Sequence, residues 1–245
     1  TLYLSNNEIN DIQDGTFNST LQLTTLYLGQ NKLTSLRSDM FTGLGNLVNL
    51  YLFRNEISDI QAGTFNSTPQ LRHLNLHQNR LSLFKAETFA NLTLLTDLEL
   101  DTNNIETFPM EALSKLPSLS YLTLNDNQMV TLPSMAYNKL VSIEGDQFFH
   151  LHNLVNIDNN PWQCDCRMVP FRQKMTGSPD FEYQITCEGP SKVHRQRLKD
   201  ISPEDLICEE PTILRFGRGD YKTVVEGETL HLVCEASGIP TPDIT

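Results

Sequence analysis

The sequence predicts a curved solenoid of the α/β type. A parallel β-sheet lines its concave side, its convex side is mostly irregular, and a cysteine-rich cap closes its C-terminal end. Three observations predict this. Asparagines stand at Asn7, Asn31, Asn55, Asn79, Asn103 and Asn127, each 24 residues after the last. Apolar residues repeat around each one, as in Leu71-x-x-Leu74-x-Leu76-x-x-Asn79-x-Leu81 and Leu95-x-x-Leu98-x-Leu100-x-x-Asn103-x-Ile105. All five cysteines lie between residues 164 and 234, outside this array. A unit of this size cannot bury its own leucines, whereas stacked copies bury a continuous column of them.

The unit L-x-x-L-x-L-x-x-N-x-L is similar to the leucine-rich repeat, with a period inside that family's range of about 20–29 residues. The leucine-rich-repeat solenoid that this implies places the L-x-L core of each unit in a short concave strand. Asparagine suits the rung because its amide carries both donors and an acceptor, which can pair backbone groups buried inside the turn. Ten residues beyond each rung comes Phe17, Phe41, Phe65, Phe89 or Leu113, a second apolar column expected to pack the convex side.

After Asn127 the register breaks. The next matching asparagine is Asn138, only 11 residues on, with Ile143 and Phe148 in the expected columns before Asn160. The spacing predicts a shortened turn at 128–138 with Pro133 near the strand position and a sheet pairing lost there, since proline cannot donate to a ladder.

The array ends at Asn160-Pro161-Trp162-Gln163-Cys164-Asp165-Cys166, followed by Cys187 and Cys208. This resembles the C-terminal cysteine-rich cap of extracellular leucine-rich-repeat proteins, and membership implies disulfides Cys164–Cys187 and Cys166–Cys208. Four cysteines allow three connectivities, and sequence alone does not choose among them. A zinc site is disfavoured, because gaps of about 20 residues do not suit the usual C-x2–4-C ligand spacing. Beyond the cap, Leu230, Leu232 and Cys234 alternate like one strand face. That stretch resembles a truncated all-β immunoglobulin-like start, with Cys234 as its first cysteine. The expected division is 1–160 repeats, 161–210 cap and 211–245 immunoglobulin-like segment. Repeats followed by immunoglobulin domains are similar to a class of cell-surface proteins; the repeats and cap also resemble variable lymphocyte receptors, which bind antigen on the concave face.

A formal net charge of −12 argues against binding nucleic acid or anionic membranes. No stretch approaches the roughly 20 apolar residues of a membrane-spanning helix. Thr1-Leu2-Tyr3-Leu4 enters in mid-repeat, so a secretion signal and an N-terminal cap are expected upstream. Three N-x-[ST] sequons, at Asn18, Asn66 and Asn91, agree with clustered cysteines in pointing to an extracellular chain, secreted or the ectodomain of a single-pass membrane protein.

Residues between the inward leucines face the concave solvent side, where specificity can reside. Expected ligand-binding positions are Tyr3, Tyr27, Tyr51 and Phe53, an aromatic ladder; His73, Asn75 and His77; the acidic Asp97, Glu99 and Asp101; then Tyr121, Thr123 and Asn125, with Arg54 and Asp126 flanking. Exposed tyrosines beside charges are what protein and carbohydrate interfaces use. The competing reading is that tyrosine suits a strand and the acids form a solvated face. Arg218-Gly219-Asp220 matches an integrin-recognition tripeptide, against an ordinary glycine turn. Lys192, His194, Arg195, Arg197 and Lys199 fit either a sulfated glycan or acidic lipid headgroup, or a solvated cap loop.

Neither a catalytic motif nor a metal or cofactor signature is present in the sequence. The expected function is non-enzymatic recognition, by an adhesion or signalling receptor for a protein ligand, with the immunoglobulin region as spacer or homodimer contact. The alternative is an immune receptor for microbial surface glycans or lipids, and an enzyme inhibitor is the outside reading.

Overall fold

The computed structural model describes residues 1–83, 85–108, 112–113, 115–130, 155–174, 183–218 and 232–240. Nine short strands run through the repeats: β1 (Leu2–Tyr3), β2 (Thr25–Tyr27), β3 (Ser35–Leu36), β4 (Asn49–Tyr51), β5 (Asp59–Ile60), β6 (His73–Asn75), β7 (Asp97–Glu99), β8 (Tyr121–Thr123) and β9 (Val155–Asn156). Seven of them form one parallel sheet in the order β1-β2-β4-β6-β7-β8-β9, while β3 and β5 pair separately. Register repeats with the sequence period, Leu26 opposite Leu50, Leu50 opposite Leu74, Leu74 opposite Leu98 and Leu98 opposite Leu122. These leucines are buried, and their strand neighbours are turned to the other face by the two-residue pleat. The second column packs as the sequence predicts: Phe17, Phe41, Phe65, Phe89 and Leu113 are all buried, and the rings of Phe41, Phe65 and Phe89 stack at 6.3 and 6.1 Å.

The rung asparagines join the turns. Asn79 Oδ1 accepts from the backbone N–H of Ile57 in the preceding turn at 3.1 Å. Its Nδ2 donates to the carbonyls of Leu52 in that turn and of Leu76 and His77 in its own. Asn31, Asn55, Asn103 and Asn127 repeat this pattern and are buried. Asn7, exposed, reaches only the carbonyls of Leu4 and Ser5 in its own turn. The residue before every rung (Asn6, Gln30, Arg54, Gln78, Thr102, Asp126, Asn159) takes a positive φ of 51–58°. This left-handed step turns the chain so that the next side chain points inward, at a conformational cost for any L-residue.

Strand β9 pairs directly with β8, Leu122 opposite Val155 and Thr123 opposite Asn156. Asn160 makes rung contacts with the turn of Asn127: its Oδ1 accepts from Met129 N–H and its Nδ2 donates to Leu124 O. Asn138, Pro133, Ile143 and Phe148 lie outside the described residues.

The cap follows at once. Two further strands, β10 (Trp162–Gln163) and β11 (Cys187–Gly189), pair in parallel, with helix α1 (Val169–Lys174) between them in sequence. Disulfides Cys164–Cys187 and Cys166–Cys208 tie this region together over the buried Trp162, Met168, Ile185, Leu198 and Ile201. Gln184 completes the sheet edge: its Oε1 accepts the N–H of Ile157 at 2.8 Å, as a further strand would. Beyond Cys208, β12 (Glu209–Arg218) and β13 (Leu232–Ile239) form an antiparallel pair that carries the unpaired Cys234.

Removing a rung leaves backbone groups of two turns without partners, at about 1–3 kcal/mol. Asn79→Ala is expected to lower unfolding free energy by about that amount, with Asn7→Ala, which spans no two turns, costing clearly less. Thermal and denaturant unfolding of both variants checks the contrast.

Candidate binding face

The pleat and the one-turn register sort the concave side chains into three columns. The first runs Thr25, Asn49, His73, Asp97, Tyr121; the second Tyr3, Tyr27, Tyr51, Asn75, Glu99, Thr123, Asn156; the third Ser5, Gly29, Phe53, His77, Asp101, Asn125, Asp158. The sheet thus aligns the sequence-predicted positions and adds two, Asn156 and Asp158, on the turn ending at Asn160. Counting back four and two residues from Asn160 finds both.

One end of the face is aromatic. Tyr3, Tyr27 and Tyr51 stack with centroids 4.8 and 4.6 Å apart and planes within 9°. Phe53 extends across the neighbouring turn over Gly29, where an added Cβ would come within 2.5 Å of its ring. Gly29 is needed here for close approach rather than for a turn. Burial, and then the neighbouring Tyr27 and Glu99, raise the Tyr51 phenol above its ordinary pKa.

The other end is acidic. His73 Nδ1 lies 2.9 Å from Asp97 and His77 Nδ1 2.5 Å from Asp101. Asn75 Nδ2 donates to Glu99 at 2.7 Å, and Thr123 Oγ1 to Asp101 at 2.8 Å. Partial burial, and next the repulsion of Asp101, hold the Glu99 carboxyl above the ordinary carboxylate range. Burial and Asp126 do the same to Asp158. Thr123 is buried, its Oγ1 accepting from the N–H of Leu100 while it donates to Asp101.

A Leucine rich repeat family profile matches three overlapping segments, residues 1–57, 46–105 and 69–129, which together cover just over half of the chain. The chain belongs to the leucine-rich-repeat family. A Leucine rich repeat C-terminal domain profile matches residues 184–209 in the cap. Among curated relatives, the chain is 32% identical over 96 residues to mouse leucine-rich repeat and immunoglobulin-like domain-containing nogo receptor-interacting protein 2. That match covers 38% of this chain and 16% of the relative. A second, rat leucine-rich repeat and fibronectin type III domain-containing protein 1, is 34% identical over 88 residues, 36% of this chain and 11% of the relative. The chain thus aligns with less than a fifth of these relatives' lengths. Toll, in the solved Drosophila Toll–Spätzle complex, superposes with a TM-score of 0.59 at 26% identity, over 88% of this chain and 33% of that one. Human 5T4, a trophoblast glycoprotein, shares the fold at 22% identity and a TM-score of 0.59, over 85% of this chain and 87% of that one.

Outside the concave sheet, ion pairs join neighbouring turns. Lys32 meets Glu8 at 2.8 Å and Arg80 meets Glu56 at 3.0 Å, each across one turn on the flank. In the cap, Lys192 pairs with Asp205 and Lys199 with Asp200, while Arg197 and Lys199 lie over the Tyr183 ring. Two lysines of the basic run are therefore neutralised locally. A cavity of about 580 Å³ opens between the last turn and the cap, lined in part by Asp158, Pro161, Tyr183 and Glu188. Asp165, Cys166 and Cys208 bring three donor atoms within 4.8 Å, but both sulfurs are bonded to each other. Asn18, Asn66 and Asn91 are exposed, away from the concave strands, with Asn91 Nδ2 donating to Asn66 Oδ1. Gly219 and Asp220 lie outside the described residues.

A carboxyl whose pKa is raised by folding holds its proton more tightly in the folded chain. Its stabilising contribution is complete below the unfolded value and is lost as pH rises through the folded one. Glu99→Gln should therefore melt higher than the parent at neutral pH, and the difference should close below about pH 4. Melting curves across that range check the sign.

Proposed function

We propose that the chain is a non-enzymatic extracellular recognition module whose concave leucine-rich-repeat face binds a protein ligand. The observation that carries this is the stacked, solvent-facing tyrosine ladder of Tyr3, Tyr27 and Tyr51 beside polar and acidic columns. Rigid aromatic rings supply large contact area at low entropic cost, and a contiguous exposed apolar row marks an interaction surface. Phe53, His73, Asn75, His77, Asp97, Glu99, Asp101, Tyr121 and Asn125 complete the proposed contact surface, and Asn156 and Asp158 extend it. Relatives whose names describe nogo receptor interaction, and the Toll–Spätzle complex, support a protein as the ligand class.

The two disulfides support an extracellular location, secreted or as an ectodomain. Glycosylation at Asn18, Asn66 and Asn91 would leave the concave strands uncovered. No helix among the described residues is long and apolar enough to cross a membrane. We divide the chain into repeats (1–160), cap (161–210) and an immunoglobulin-like segment (211–245). The antiparallel pairing of β12 with β13 supports that last reading. Its role would be as a spacer or homodimer contact, with Arg218-Gly219-Asp220 as a subsidiary integrin motif. The second reading is an immune receptor resembling variable lymphocyte receptors and directed at microbial surfaces. Likeness to Toll, whose complex with Spätzle is a molecular hub in Drosophila development and innate immunity, favours it.

His77→Thr converts Asn75-Leu76-His77 into a glycosylation sequon on the concave sheet. Screened against cell-surface and secreted ectodomains and whole bacteria, the glycosylated variant should lose at least about tenfold in affinity for partners of the parent. Enzymatic removal of the added glycan from the same variant should recover part of that loss. Undiminished binding by the glycosylated form would move the site elsewhere.

A further inference from the structure

Resting on that reading of the concave face, we infer that its occupant is a basic polypeptide segment lying across the strands. Its apolar side chains meet the tyrosine stack, and its lysines and arginines meet the acidic end. The face is divided lengthwise. Strands β1, β2 and β4 present the stacked tyrosines with Phe53 laid over Gly29, a surface without a charged group in its columns. Strands β7 to β9 present Asp97, Glu99, Asp101 and Asp158, with Asp126 at the rim. Among the described residues of the three columns, the basic groups are His73 and His77, each already on an aspartate. Arg54, at the rim, donates through Nε to Gln78. Four carboxylates thus face solvent with two imidazoles between them and no lysine or arginine. Burial first, and then repulsion by Asp101 and Asp126 respectively, raise the Glu99 and Asp158 carboxyls, in keeping with that crowding.

Complementarity decides between ligand classes. Sulfated or phosphorylated glycans and anionic lipid headgroups would place like charges on this surface, which costs affinity. A neutral glycan would use the tyrosines and leave the carboxylates unmatched. A cationic polypeptide uses both ends, and arginine can also stack on the tyrosine faces. Seven strands at a spacing of about 4.8 Å span roughly 29 Å, the reach of an extended segment of about nine residues. Any heparin-like ligand would instead have to use the cap, where Lys192 and Lys199 are paired with aspartates.

The test uses labelled nona-arginine, nona-glutamate, a heparin oligosaccharide and phosphatidylglycerol vesicles against the secreted, disulfide-intact chain. Nona-arginine should bind in a salt-sensitive manner and the three anionic probes should not. The triple variant Asp97→Asn/Glu99→Gln/Asp101→Asn should bind it about tenfold more weakly or worse, and glycosylated His77→Thr should not bind it. A cooperative melting transition and the parent's circular dichroism spectrum in either variant ensure that a folded protein is being read. Nona-arginine binding that survives in the triple variant overturns the inference; if the glycan still blocks it, the concave reading stands while the charge chemistry falls. Survival in the glycosylated variant overturns the inference by placing the cation elsewhere. Preference for any anionic probe, or binding of none of the four, overturns it as well.

Discussion

The fold depends on how the rung asparagine pairs backbone groups of two successive turns. A solenoid turn narrow enough to stack its leucines must bury carbonyls and amides at its inner corner, and an unpaired group there is costly. Each of Asn31, Asn55, Asn79, Asn103, Asn127 and Asn160 accepts one N–H from the turn before and donates to carbonyls of both turns. Since one amide closes two turns, the relation between them is fixed. The left-handed residue before each rung aims it inward, and the strand that precedes that residue is held in register. Columns of concave side chains follow from this without further instruction.

That constraint also explains why the concave face is where recognition can reside. The inward leucines are committed to the core and the flanks to ion pairs such as Glu8–Lys32 and Glu56–Arg80. The convex side holds the phenylalanine column. What is free to vary is the outward half of each strand, and there the chain places three stacked tyrosines at one end and a carboxylate group at the other. The cap keeps this arrangement from fraying, with Gln184 receiving the edge amide of Ile157 and two disulfides binding the segments that carry it.

Most of this was legible in the residues because the period is a geometric quantity. A spacing of 24 brings Tyr3, Tyr27 and Tyr51 side by side as surely as it stacks Leu26, Leu50 and Leu74. What was not legible depended on contacts between turns. Nothing in the sequence tells that Met129, just past the Asn127 rung, gives its amide to Asn160, 31 residues on. Thr123 stands at an outward position, but it is buried and donates its hydroxyl to the partly exposed Asp101 beside it. Gly29 reads as a missing side chain until Phe53 is seen lying across it. Gln184 has no pattern of its own, because its partner is an edge that exists only once the array has ended.

Amide hydrogen exchange tests the central claim most directly. The N–H groups of Leu33, Ile57, Leu81 and Ile105 donate to side-chain oxygens of the next rung, outside any strand. If the rungs hold the turns together, these four amides exchange as slowly as the strand-bonded amides of Leu52 and Leu76. Exchange at the rate of exposed loop amides would contradict the account, since the concave columns would then rest on the strand ladder and packing without the rungs.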